Sequence, residues 1–389
     1  MKKINILIAI PSLDSGGVEV GVLEFCKQVS KTQDFNLFIA TSGGKLTNQI
    51  DKNIKIIPID IKSKNPFIIW KNQGKIKEIL LKNKIDIVQI ESRIPAWNFI
   101  NICKKLHIPT ISIIHGNFGI GNGIVKKFKL FYNSKIMQAD HVVAVSNYTK
   151  QYCLNNYANC FKNKDINVIY RGIDTENVFN PEKISNQEIE ELKTKLNLPN
   201  DKKIIIYPAR LSKQKGQEYL VETLNILRNK NVICLLVGSN DKHKDYKNHL
   251  IDLINEYKLE NNIKFVDNIT NINVLYKICD IVVSSAILPE TFGRVSIECE
   301  AMQKIFIGTA IGGTLETVID KQTGFLVPHN NAEIFAKTIE NILNLTNEEM
   351  LKIGTEARKN VLNNFTIDVF YNKMKNLYFN IINGGKDAR

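Results

Sequence analysis

At 389 residues, with 44% hydrophobic and 23% charged side chains, the chain is too long for one ordinary domain and too apolar for a disordered one. It suits two domains of nearly equal size. Its formal net charge of +13 is lopsided: residues 1–180 hold 25 Lys/Arg against 13 Asp/Glu, and residues 181–389 hold 27 against 26. That asymmetry predicts an anionic partner for the first half, with nucleic acid and an anionic membrane surface as the two candidates.

The apolar run Ile4–Ile10 behind Lys2-Lys3 looks like a secretion signal. It is short, stops at Pro11 and has no small-residue cleavage site after it, so it reads as a buried first strand, and the protein is expected to stay where it is made. No run reaches the roughly 18 apolar residues of a membrane-spanning helix. Seven cysteines stand singly, with no Cys-x-x-Cys pair. That usage predicts reduced thiols in a cytoplasm and no zinc site.

In chain order, the first half offers strands at Ile4–Ile10, Asn36–Ala40, Lys55–Ile59, Asp86–Ile90, Thr110–Ile114, His141–Val145 and Val168–Tyr170. Helical patterns such as Lys75–Leu81 and Val125–Met137 fill the gaps. Near-continuous β-branched runs predict strands buried on both faces, as in a parallel sheet. A polar stretch follows, Asp174–Asn200, with a charged helix at Gln187–Leu196 and a hinge expected near residues 172–182. The pattern then restarts with strands at Lys203–Tyr207, Val232–Val237, Ile263–Val266, Asp280–Ser284 and Lys304–Gly308. The expected fold class is α/β, with two tandem doubly wound, Rossmann-like domains. The first spans residues 1–175 and the second 176–365. A terminal helix, 366–383, has no strand after it and is expected to pack back on the first domain.

Doubly wound sheets bind ligands beyond the carboxyl ends of their strands, so the segments just after the strands are the places for chemistry. After the first strand comes Gly16-Gly17-Val18-Glu19 at a helix start, where glycines let a ligand approach and free N–H groups favour phosphate. Alone, it is as readily a plain turn. Arg210 and Lys215 follow strand Lys203–Tyr207, and together they suit a diphosphate; solvated loop charge is the competing reading. Leu288–Glu298 follows Asp280–Ser284. Glu290 lies before a helix starting near Gly293, and Glu298 lies inside it, so both carboxylates can accept from sugar hydroxyls. The N–H groups of Phe292, Gly293 and Arg294 would face the same ligand. His115-Gly116 stands at another strand end. There is no Asp-x-Asp, no phosphate loop of the Gly-x-x-x-x-Gly-Lys-[Ser/Thr] kind, and no dinucleotide fingerprint at Gly119-Ile120-Gly121-Asn122-Gly123.

Together these pieces resemble the retaining glycosyltransferases of family 4, the glycosyl transferases group 1, across nearly the whole chain. The carriers are Gly16-Gly17-Val18-Glu19, His115-Gly116, Arg171-Gly172-Ile173-Asp174, Arg210 with Lys215-Gly216, Leu235–Gly238, the Glu290–Glu298 element, and Gly312-Gly313 with Glu316 and Thr323–Val327. Two departures are Ala209, where many members have Gly, and Arg171, where many have Asn.

The resemblance implies the GT-B fold with an interdomain cleft, and a nucleotide diphosphate sugar as co-substrate with no metal or other cofactor. It implies that Arg210 and Lys215 bind the diphosphate, in the role a metal plays elsewhere, with Gly16 and Gly17 reaching the same group. Gly238 lies before the base pocket. Glu298 takes the ribose, and Glu290 a hydroxyl of the transferred sugar. Phe292, Gly293 and Arg294 complete the sugar site, and His115 touches the sugar near its reacting carbon. Retention is expected without an enzyme nucleophile, so the carboxylate-separation rule for hydrolases does not apply to Glu290 and Glu298.

The first domain becomes the acceptor side. Its segment Ile124–Lys135 interleaves basic and aromatic residues. It reads as a helix lying on an anionic leaflet, with peripheral attachment at the cytoplasmic face and a glycan or lipid-linked acceptor in cell-envelope polysaccharide or lipopolysaccharide synthesis. It reads equally as an amphipathic helix whose apolar face is core. A nucleotide-sugar epimerase or a phosphorylase on the same scaffold is the alternative enzyme, the phosphorylase needing a pyridoxal-binding lysine. A nucleic-acid-binding role would leave the Glu290–Glu298 element unexplained, so no nucleic-acid partner is expected.

Overall fold

The computed structural model describes residues 3–14, 16–162, 164–238, 244–267 and 269–384. Ser15, inside the first Gly-Gly turn segment, lies outside the described residues. The chain divides into two compact units, one of Met1–Gly172 with Ile367–Arg389, the other of Ile173–Thr366.

Among the described residues the first unit holds a seven-stranded sheet. Its strands are β1 (Ile4–Ala9), β2 (Phe35–Thr41), β3 (Lys55–Pro58), β4 (Ile87–Ile90), β5 (Thr110–Ile114), β6 (His141–Ala144) and β7 (Ile166–Val168), in spatial order β3-β2-β1-β4-β5-β6-β7. Every pairing is parallel. Strands β1, β4 and β5 are buried along their whole length, as their unbroken Ile/Val/Leu-rich runs require when helices cover both faces. Helices α1 (Gly17–Thr32), α2 (Pro66–Lys82), α3 (Arg93–Lys105), α4 (Gly123–Met137) and α5 (Asn147–Tyr157) are the crossovers. Because right-handed connections run outward in opposite directions from β1 and β4, α1 lies on one face and α3 to α5 pack in series on the other, α2 beside α3.

The second unit repeats the plan. Strands β8 (Lys203–Pro208), β9 (Val232–Val237), β10 (Ile263–Val266), β11 (Ile281–Ser284), β12 (Ile305–Thr309) and β13 (Gly324–Val327) form a parallel sheet in order β10-β9-β8-β11-β12-β13. Its helices are α6 (Asn186–Lys195), α7 (Gln217–Leu227), α8 (Lys244–Glu256), α9 (Ile272–Ile278), α10 (Arg294–Ala301), α11 (Thr314–Thr317), α12 (Ala332–Leu343) and α13 (Asn347–Asn364). The last helix, α14 (Ile367–Gly384), belongs to the first unit and packs on α1. Phe25 meets Phe370 and Tyr371 with ring centroids 5.8 and 5.7 Å apart, and Asp34 accepts from Tyr371 Oη and Lys375 Nζ, each at 2.7 Å.

Two strands differ from the sequence reading. The seventh lies at Ile166–Val168 and not at Val168–Tyr170. Its partner β6 ends at Ala144, which pairs Val168, so Tyr170 has no ladder left to join. Strand β13 was read only as a motif. It is four residues long, sits at the sheet edge and begins with a glycine, which leaves little periodicity to detect.

In each sheet the strand order reverses once, between β1 and β4 and between β8 and β11. These reversals leave a crevice at the carboxyl ends of the two central strands. No helix among the described residues is long and apolar enough to cross a membrane.

Candidate active site

At the β8/β11 reversal the loop after β8 carries Arg210 and Lys215, and the loop after β11 carries Glu290. The two loops meet directly: Lys215 Nζ donates to Glu290 Oε1 at 2.5 Å. Lys215 ends a single 3-10 turn, and its carbonyl accepts from the hydroxyl of the fully buried Tyr207. Gly216 follows at φ +67°, where an added Cβ would lie 2.1 Å from the Ser285 carbonyl oxygen. Glycine is therefore required there, and it lets the two loops touch. Ser285 Oγ then donates to the Gly216 carbonyl at 2.7 Å. The Arg210 side chain is exposed and has no ion pair among the described residues. Gly238, after β9, packs against this loop, with no room for a Cβ beside the Ala209 carbonyl. The hydroxyl of Ser212, which lies between the two cations in sequence, is buried without a hydrogen-bond partner among the described residues.

The Glu290–Glu298 segment turns on Gly293, the φ +86° residue that caps the start of α10. Gly312 and Gly313 press their backbone against residues 290–292, and Gly313 N donates to the Glu290 carbonyl at 2.7 Å. Phe292 is buried beneath the turn. Glu298 lies one turn inside the helix. Its Oε1 accepts from Arg294 Nε at 2.6 Å and its Oε2 from Tyr276 Oη at 3.0 Å. Each oxygen keeps a second lone pair, so the carboxylate can still accept from a pair of vicinal hydroxyls. Burial first, and then Glu298, holds the Tyr276 hydroxyl protonated well above the usual tyrosine range, so it remains a donor.

In the first unit the reversal between β1 and β4 is bordered by Gly16-Gly17 at the start of α1, Glu91 after β4 and His115 after β5. His115 Nε2 lies 2.5 Å from Glu91 Oε2. Arg171 donates to the Gly17 carbonyl and fills the space over Gly21, where a Cβ would meet its guanidinium at 1.8 Å. The residue that departs from the family pattern therefore sets a fixed positive charge on the Gly-Gly turn. A small crevice here is lined by Phe25, Gln89, Glu91, His115, Arg171 and Phe370, among others.

The family 4 glycosyltransferase model matches residues 15–177, and the glycosyl transferases group 1 model matches residues 188–360. The chain is similar to a glycosyltransferase of known structure from Rickettsia africae, with 37% identity, a TM-score of 0.88, and coverage of 98% of this chain and 99% of that one. It belongs to the GT-B glycosyltransferases. This glycosyltransferase is also 26% identical to the Staphylococcus aureus capsular polysaccharide biosynthesis glycosyltransferase CapM, over 92% of each chain. It shares its fold with Anabaena HepE, solved in complex with UDP-glucose, at 20% identity, a TM-score of 0.79, and coverage of 96% and 99%. As a GT-B transferase it moves a sugar from a nucleotide-sugar donor to an acceptor.

Among its described residues no group of three or more His, Cys, Asp or Glu side chains is placed to hold a metal ion. Sequence reasoning missed Tyr276 as the second partner of Glu298, because an aromatic in an apolar helix looks like core. It also missed Gln89 and Glu91, which end an otherwise apolar strand; a Gln-x-Glu at a strand's carboxyl end was the available signal. Lys135, counted there with the surface lysines of α4, is buried: it donates to Asn101 Oδ1 at 2.7 Å, and burial lowers its pKa.

Proposed function

We propose that this transferase moves a hexosyl unit from a nucleotide diphosphate sugar with retention at the anomeric carbon, without a metal ion, to a glycan or lipid-linked acceptor of the cell envelope. The observation that carries the reading is the Lys215–Glu290 contact at the β8/β11 reversal, with Arg210 on the same loop. Residues 176–365 act as the donor domain and residues 1–175 as the acceptor domain. Arg210 and Lys215 take the diphosphate and stabilise the departing nucleoside diphosphate. The backbone at Gly238 borders the base, and Glu298 accepts from the ribose hydroxyls. Glu290 accepts from a hydroxyl of the transferred sugar, and the amides of Phe292, Gly293 and Arg294 flank that sugar. From the first unit, Gly16 and Gly17 are assigned to the diphosphate and His115 to the sugar near its reacting carbon. The bond from the anomeric carbon to phosphate oxygen breaks, the bond to the acceptor oxygen forms on the same face, and the acceptor's proton passes to a donor phosphate oxygen.

A panel of nucleotide sugars, read by thermal shift and then by product analysis, tests this. One donor is expected to raise Tm, and its sugar to reach an acceptor with its anomeric configuration kept. An inverted product, or donor conversion without any acceptor as an epimerase would give, defeats the reading.

The acceptor assignment draws on the capsular relative and on α4. Ile124, Phe128 and Phe131 of this helix are 89%, 70% and 62% exposed, interleaved with exposed Lys126, Lys127 and Lys129. Apolar side chains so placed are not core, and together with the lysines they suit peripheral attachment to an anionic leaflet at the cytoplasmic face. Each lysine near such a surface contributes about 1 kcal/mol. Co-sedimentation at low salt is expected with phosphatidylglycerol vesicles and not with phosphatidylcholine vesicles, and to be lost in the triple change of these lysines to glutamine. Equal sedimentation with both lipids removes the membrane from the reading.

A further inference from the structure

The first unit holds a line of buried polar groups that ends on His115. Tyr378 of α14 is fully buried and its hydroxyl donates to Gln89 Oε1. The Gln89 amide nitrogen donates to Glu91 Oε1, and Glu91 Oε2 meets His115 Nε2 at 2.5 Å. Gln89 and Glu91 are 3% and 4% exposed, while the His115 side chain keeps 13%. The line therefore runs from a dry interior to His115, its most exposed member, at the crevice.

A carboxylate this deep is costly unless each oxygen is hydrogen-bonded, and here each oxygen has a donor. The donors also fix direction. Gln89 must turn its amide nitrogen toward the carboxylate, which leaves its oxygen for the Tyr378 hydroxyl. The unprotonated carboxylate can only accept, so Nε2 of His115 carries a proton whether the ring is neutral or charged. In the neutral ring Nδ1 is then the accepting atom.

We infer that Glu91 is the positioning residue of His115, fixing its ring orientation and its Nε2–H tautomer, and that Gln89 and Tyr378 hold Glu91 for that purpose. The transferase thus ties the histidine assigned to the sugar to the docking of its last helix. Sequence gives no hint of this, because Tyr378 lies 289 positions from Gln89. The inference rests on the assignment of His115 to the transferred sugar. Its test needs no substrate, so the two fail separately.

The experiment is side-chain ¹⁵N spectroscopy of the full chain labelled at histidine, with His115→Asn identifying the His115 pair of signals. In the wild-type protein above the ring's titration, the proton is expected on Nε2. In Glu91→Gln, whose amide can donate as well as accept, that preference is expected to be lost and the two nitrogen signals to converge. Tyr378→Phe is expected to move the same signals in the same direction by less, and it serves where Glu91→Gln does not fold. A proton on Nδ1 in the wild type, or His115 signals unmoved in the folded variants, overturns the inference. If His115→Asn leaves turnover unchanged, the sugar assignment falls while the tautomer result stands.

Discussion

Replacing Lys215 with alanine is expected to weaken donor binding roughly 30- to 150-fold, equivalent to about 2–3 kcal/mol, while the fold survives. The side chains of Lys215 and Glu290 are 26% and 17% exposed, so their 2.5 Å contact is partly dry. Removing the ammonium does two things at once. On the proposed assignment it deletes a charge-assisted bond to the diphosphate, worth about 1.5–3 kcal/mol. It also leaves the Glu290 carboxylate unneutralised beside the phosphates. The turn itself is held through main-chain atoms, by Tyr207 on the Lys215 carbonyl and Ser285 on the Gly216 carbonyl, and neither depends on the lysine side chain. Unchanged circular dichroism with weakened donor titration is the expected pair of results. Undiminished affinity would remove Lys215 from the site.

Glu300→Gln is expected to stabilise the protein in alkaline solution and to do little in acid. Glu300 is fully buried in α10, where Thr323 Oγ1 and Asn360 Nδ2 each donate to it at 3.0 Å. Burial outweighs these bonds and pushes its carboxyl up to about 8. Below about pH 4.5 the group is protonated in both the folded and the unfolded chain, and it has no effect on pH dependence. As pH rises toward 8 the unfolded chain releases the proton and the folded chain retains it, so stability falls; above 8 the loss is complete. At about 1.4 kcal/mol per pH unit over the roughly 3.5 units between 4.5 and 8, the full loss is on the order of 5 kcal/mol, about 4 of it between pH 5 and pH 9. Glutamine carries no such titration and can place its oxygen toward Asn360. The Tm advantage of the variant is expected to grow by roughly 8–16 °C between pH 5 and pH 9. A difference that does not change with pH would mean Glu300 is ionised in the fold.

The fold was legible because unbroken runs such as Ile4–Ile10 and Val232–Val237 admit little besides strands buried on both faces, and helical patterns separate them. The proposed donor loops were picked out by a related rule: a doubly wound sheet limits chemistry to strand ends, and Arg210, Lys215, Glu290 and Glu298 all follow strands. What escaped was set by tertiary contact. Tyr276 and Tyr378 read as core aromatics, and only their hydroxyl partners give them another part. Strand β7 was displaced because its end is decided by where β6 stops. The surface reading of Lys135 failed because helical spacing alone does not tell which lysine turns inward to Asn101.

The measurement that bears most directly on diphosphate binding by cationic side chains is calorimetric titration of the selected donor into metal-free protein, with EDTA present and again with magnesium. The affinity is expected to be the same in both, and to drop in EDTA for Lys215→Ala and for Arg210→Ala. Donor binding that vanishes with EDTA and returns with magnesium would contradict the proposal that these side chains do the work of an ion.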